Sequence, residues 1–117
     1  LSRAGTYRAG LAAETVAAWL LRLKGFRVLT RRFGTAVGEI DLIARRGDLL
    51  VFVEVKRRSD LASAKEAILP RQRQRIARAA ELYLRRQSGP APARCRFDVV
   101  AVAPWRWPLH LPDAWRL

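Results

Sequence analysis

Acidic residues are scarce in this 117-residue chain: ten, against 23 lysines and arginines, for a net charge of +13. So lopsided a balance implies a polyanionic partner. Nucleic acid comes first, with an acidic membrane surface second. Cysteine is scarcer still. Cys95 stands alone, which excludes an internal disulfide framework and makes a reducing cytoplasm the natural setting. Long apolar runs are missing too. No stretch approaches the roughly 18 residues needed to cross a bilayer. The first apolar segment carries Glu14 and Arg22, unlike a signal peptide. There are no internal repeats and no low-complexity linkers. The length suits one domain over residues 1–117, and 50% apolar content suffices for a small core.

What is present is organised around residues 38–58. Ile40 to Ala44 and Leu49 to Lys56 are apolar and β-branched, and Arg45-Arg46-Gly47-Asp48 between them is turn chemistry, so the stretch reads as a β-hairpin. Pairing Ala44 with Leu49 across a four-residue loop sets Asp41 opposite Phe52 and Glu39 opposite Glu54. Opposed residues share a face, as do alternate residues along a strand. Asp41, Glu54 and Lys56 are therefore expected on one side of the sheet, with Glu39 near them. Two carboxylates and an ammonium on one face suit a divalent metal and a hydrolytic water. A solvated Glu-x-Lys pair is the bland alternative. Against it stand Leu50 and Phe52 on the same face, and the placing of three of only ten acids within sixteen positions, where they should repel unless an ion or Lys56 relieves them.

The flanking segments supply the rest of an α/β order. Residues 8–24 read as a helix with an apolar stripe of Ala12, Val16, Trp19, Leu20 and Leu23, stopped by Gly25. Glu14 lies off that stripe, beside Leu11, Ala18 and Leu21; the helix is thus apolar on more than one side and could partly cover it, but spacing alone favours a solvated helix glutamate. Phe26 to Phe33 reads as a first strand, and residues 61–69 as a loop with one helical turn. Pro70 opens a helix to about Gln87 with a core stripe of Ile76, Ala79, Ala80, Tyr83 and Leu84. Arg71, Arg73, Arg75, Arg78, Arg85 and Arg86 fall mostly off this stripe, against the single Glu81. Such a face repels itself unless an anion covers it, so these arginines, with Arg57 and Arg58, are expected to contact phosphate. Arg94 to Ala103 reads as a buried central strand, in which Asp98 is expected to pair with a nearby arginine. The tail, 104–117, holds Trp105, Trp107 and Trp115. It could close over the sheet edge, stack on bases or make an oligomer contact, and packing on the domain is the expectation.

The runs Gly38-Glu39-Ile40-Asp41-Leu42-Ile43-Ala44 and Val51-Phe52-Val53-Glu54-Val55-Lys56, with Arg-Phe-Asp-Val-Val at 96–100, resemble the YraN family of small bacterial proteins. The resemblance extends from Gly10 and Glu14 to the last strand. It implies a restriction-endonuclease-like core of order α-β-β-β-α-β, a mixed central sheet flanked by helices, similar to archaeal Holliday-junction resolvases and the PD-(D/E)xK nucleases. It further implies that Asp41 and Glu54 bind Mg²⁺ (or Mn²⁺), that Lys56 stands beside the attacked phosphate, and that Glu14 completes the acidic cluster. Ile40 stands where the name-giving proline of that superfamily would be. The Val55 carbonyl is a third candidate ligand. The expected activity is metal-dependent endonucleolytic hydrolysis of structured or branched DNA, recognised by shape. A non-catalytic DNA-binding accessory module in recombination, repair or DNA uptake is the alternative. Symmetric cutting of two strands would favour a homodimer, and no membrane partner is expected.

Overall fold

A computed structural model describes residues 3–58 and 61–116, with the side chains of 3–11, 61, 62 and 65 excepted. The elements run α1 (Arg3–Leu23), β1 (Arg27–Gly34), β2 (Glu39–Arg46), β3 (Leu49–Arg57), α2 (Leu61–Glu66), α3 (Pro70–Arg86), β4 (Arg94–Val102) and β5 (Leu109–Leu111). One mixed sheet carries the strands in the order β1-β2-β3-β4-β5. The β3–β4 pair is parallel and the others antiparallel. A parallel pair needs a long crossover, and α2 and α3 supply it. The architecture is consistent with a restriction-endonuclease-like core. It adds β5, a three-residue edge strand between Pro108 and Pro112 that is too short for periodicity to reveal.

The sheet separates two apolar clusters. One holds Phe52, Leu50, Val99 and Ile76 with α2, α3 and Trp115; the other holds Leu21, Leu42, Val51, Val53 and Val100 beneath α1. α1 ends in a Schellman cap. The Phe26 N–H bonds to the Leu21 carbonyl and the Gly25 N–H to the Arg22 carbonyl, both at 3.0 Å, with Gly25 at φ +89°. Leu21 and Phe26 then meet in the same cluster.

The expected stripe of α1 is corrected. Ala13, Ala17, Ala18, Leu20 and Leu21 face the sheet, whereas Val16, Trp19 and Leu23 are exposed. The helix is apolar on most sides, so size alone misleads. The small alanines, not the tryptophan, let the helix approach the strands. On α3, Ile76, Ala79 and Ala80 are buried as expected. Tyr83 is half-buried against Phe33 and Phe52, and Leu84 is exposed, a second correction. In the tail Trp115 stacks on Phe97, with ring centroids 4.1 Å apart, but Trp105 and Trp107 are exposed and do not pack on the core.

The hairpin register is also corrected. The turn is Gly47-Asp48, and Ala44 pairs with Val51, two residues beyond the expected Leu49. Because the error is even, the paired residues Leu42 to Arg46 and Leu49 to Val53 keep their expected faces.

Candidate active site

The β2–β3 ladder stops at Leu42↔Val53. One step further the strands part, and Asp41 and Glu54 flank the gap. The backbone N–H of Val55 donates to Asp41 Oδ2 at 2.8 Å, so a side chain takes the place of the missing ladder bond. Ile40 and Leu42 lie two apart yet belong to opposite clusters, which puts an inversion of the strand at Asp41 itself. The continued register sets Arg32 of β1 across from Asp41. Arg32 has φ +55°, a left-handed conformation that costs an arginine about 1–3 kcal/mol. That kink breaks the alternation of β1, so that two successive arginines reach α1. Arg31 donates to Thr15 Oγ1 at 3.0 Å, and Arg32 Nε donates to both oxygens of Glu14, each at 3.1 Å.

Glu14 is therefore not the solvated residue that spacing suggests. It is buried, at 5% exposure, and its charge acts on Asp41. Its carboxylate is already paired with Arg32. Glu39 is the reverse case. It sits on the β1 side of β2, pairs with Gly34, and is exposed, so it does not face Glu54.

The electrostatics of the pair are unfavourable. Burial pushes the Asp41 carboxyl up, opposed by the Val55 hydrogen bond and reinforced by Glu14. Glu54, 4% exposed, is raised well above the ordinary glutamate value by burial and then by Asp41, while Lys56 pulls it back. Glu54 Oε1 is buried with no hydrogen-bond partner. A half-buried and a buried carboxyl side by side, with one orphaned oxygen, are hard donors to which positive charge would be favourable. Mg²⁺ suits such a site, because it takes one or two carboxylates and keeps several waters. Among the described residues no third carboxylate, imidazole or thiol joins them in a cage. The protein part of such a site is thus Asp41 and Glu54, with Val55 already contributing its N–H to Asp41.

Lys56 and the exposed Arg57 and Arg58 line a groove with Val102 to Pro104 at the carboxyl ends of the parallel strands. In open α/β sheets such ends are where ligands bind. Arg71, Arg75 and Arg78 are exposed on α3, and the Arg75 backbone lies against Gly38, three residues before Asp41. A Cβ at Gly38 would stand 2.7 Å from the Arg75 carbonyl oxygen, so a glycine is needed for this approach. Arg73 differs from its neighbours. It donates to the Ile68 carbonyl at 3.0 Å and lies over the Trp115 ring, so it ties α3 to the tail rather than standing free for phosphate. Arg32 was invisible in the sequence, since nothing local marks an arginine for a left-handed backbone.

A model of the Uncharacterised protein family UPF0102 matches residues 13–102, which include α1 from Ala13, the acidic pair and β4. The chain belongs to the UPF0102 family. A UPF0102 protein of Parvibaculum lavamentivorans is 56% identical over 110 residues, covering 94% of this chain and 83% of the relative. One from Mesorhizobium japonicum is 54% identical over 113 residues, covering 97% and 90%. One from Paramagnetospirillum magneticum is 53% identical over 114 residues, covering 94% and 88%. No helix among the described residues of this UPF0102 chain is long and apolar enough to cross a membrane.

Proposed function

We propose that this UPF0102 chain is a Mg²⁺- or Mn²⁺-dependent endonuclease of the YraN and PD-(D/E)xK type that hydrolyses phosphodiester bonds in structured or branched DNA. The observation that carries the reading is the Asp41–Glu54 pair, Glu54 buried with Oε1 orphaned, beside Lys56 and a basic groove. A purely structural carboxyl pair would be selected for satisfied hydrogen bonds; this one is held at a cost in stability, as functional sites often are. A bound divalent cation would supply charge to activate water and to offset the phosphate. Asp41 and Glu54 would hold it, with the Val55 carbonyl as third candidate ligand. Val55 N–H fixes the Asp41 carboxylate. Lys56 would hold the attacking water or the developing negative charge. Arg32 positions Glu14 behind Asp41. Arg57, Arg58, Arg71, Arg75 and Arg78 would hold the backbone, and as phosphate contacts they carry shape rather than base sequence.

The test is cleavage of labelled four-way junction, flap, duplex and single-stranded DNA with Mg²⁺, with Mn²⁺ and with chelator. Glu54→Gln prepared identically controls for contaminants. Metal-dependent cutting by wild type, reduced by at least about a thousandfold in Glu54→Gln, is expected. Equal cutting by both proteins refutes the site. Tight DNA binding with no cutting by either points to the accessory-module reading.

A further inference from the structure

Three of the four tryptophans lie on one side of the molecule and are exposed: Trp19 at 59%, Trp107 at 73% and Trp105 at 103%. They line a continuous surface. The groove at Lys56 and Arg57, 510 Å³ in volume, shares Arg57, Val102, Ala103 and Pro104 with a second depression that adds Trp105, Arg106 and Val16. Val16 is in turn shared with a third, bounded by Trp19 and Trp107. Arg57 and Arg106 line the second depression; the third is apolar, with Leu20, Leu23 and Pro108 beside its tryptophans, and Arg22 lies over the Trp19 ring at 5.4 Å. Among the described residues no aspartate or glutamate lines any of the three depressions. Trp105 is held at φ +60° in the turn after β4, which presents its ring to solvent.

We infer that this strip is a base-stacking track for an unpaired nucleic-acid strand that continues from the Lys56 groove past Trp105 to Trp107 and Trp19. The substrate class is therefore nucleic acid with a single-stranded segment next to the reacting phosphate. A cationic groove that leads past Trp105 and Arg106 to the Trp107 and Trp19 faces, the latter under Arg22, matches a strand whose phosphates are held in the groove and whose bases stack beyond it. A purely apolar protein partner would have no use for the arginines. An anionic membrane surface would use both residue types, but would not explain why the strip opens into the groove at Lys56. The inference rests on the nuclease reading in taking nucleic acid as the occupant.

The experiment uses the full chain in chelator, so that nothing is cut. Fluorescein-labelled oligothymidylate, an abasic strand of equal length and a duplex are titrated with wild type, Trp105→Ala/Trp107→Ala and Trp105→Phe/Trp107→Phe. Both side chains are exposed, and equal circular dichroism spectra verify that the variants fold. The double alanine variant should bind oligothymidylate about tenfold more weakly or worse, while the phenylalanine variant recovers most of the loss. Wild type and alanine variant should bind the abasic strand alike. Equal binding of oligothymidylate by wild type and alanine variant overturns the track. It does so equally if the alanine variant instead loses binding to anionic vesicles, or turns from dimer to monomer. If wild type binds duplex and the track alone fails, the nuclease reading survives. If wild type binds none of the nucleic acids, both readings fall.

Discussion

The sheet buries two carboxylate centres, and they are built in opposite ways. Asp98 on β4 is fully buried, yet every demand is met. Arg96 donates to both its oxygens at 2.8 Å, His110 Nε2 lies 2.7 Å away, and the Asp113 N–H donates at 2.9 Å. Lys24 Nζ stands 2.9 Å from His110 Nδ1. An ammonium can only donate, so Nδ1 accepts and Nε2 carries the hydrogen toward Asp98. Burial alone would raise this carboxyl, but the bonds from His110, Arg96 and Asp113 prevail and hold it below the ordinary value. In the Asp41–Glu54 pair Glu54 is buried and Asp41 half-buried; Glu54 Oε1 has no partner, and both carboxyls are raised. Asp98 joins β4, β5, the tail and the end of α1 into one unit. The acidic pair bridges only the parted ends of β2 and β3, through the Val55 N–H on Asp41. Burial of an acid alone therefore does not set the two centres apart; the supply of hydrogen-bond partners does.

The largest break of this contrast is Asp98→Ala. It leaves Arg96 and His110 without their acceptor and should lower unfolding free energy by about 3–5 kcal/mol in urea denaturation. Glu54→Gln should do the opposite in chelator, raising stability by on the order of 1 kcal/mol, because it removes a buried charge facing Asp41. Destabilisation by Glu54→Gln comparable to that of Asp98→Ala would end the distinction. Gly38→Ala comes next. The new methyl meets the Arg75 carbonyl at 2.7 Å, and the turn feeding Asp41 must shift, at about 1–3 kcal/mol. An unchanged urea midpoint would show that α3 yields freely there.

The pH dependence sharpens the same contrast. Asp98 is lowered from 3.8, so its contribution is complete above that value and is lost as pH falls through the folded value. Asp41 and Glu54 are raised, from 3.8 and 4.5, so their contribution is complete below those values and is lost as pH rises through the folded ones. In chelator, Glu54→Gln should therefore flatten the decline of the urea midpoint on the rising-pH side and leave the acid limb unchanged. A curve parallel to wild type throughout would contradict the raised pair. The smallest effect belongs to Arg116→Ala. Its partner Asp113 lies beside the Asp98 cluster, but the pair is exposed and solvent-screened, and no measurable midpoint change is expected.

Much of this was open to reading in the chain alone. Alternation in Ile40 to Ala44 and Leu49 to Lys56 determined a hairpin with Glu54 and Lys56 in phase, because side-chain period two is a local property of a strand. The excess of arginine over acid determined the basic surface. A lone aspartate in an apolar strand two residues from Arg96 determined the ion pair at Asp98. The tertiary structure decided what depends on distant surfaces. It chose the alanine face of α1 over the face of Trp19, because fit to the sheet outweighs side-chain size. It moved the register by two at Gly47-Asp48, where competing turns differ little in local energy. It joined Glu14 to Arg32 through a left-handed residue eighteen positions away, and it left Trp105 and Trp107 outside while burying Trp115. Periodicity says which residues share a face; only packing says what that face meets.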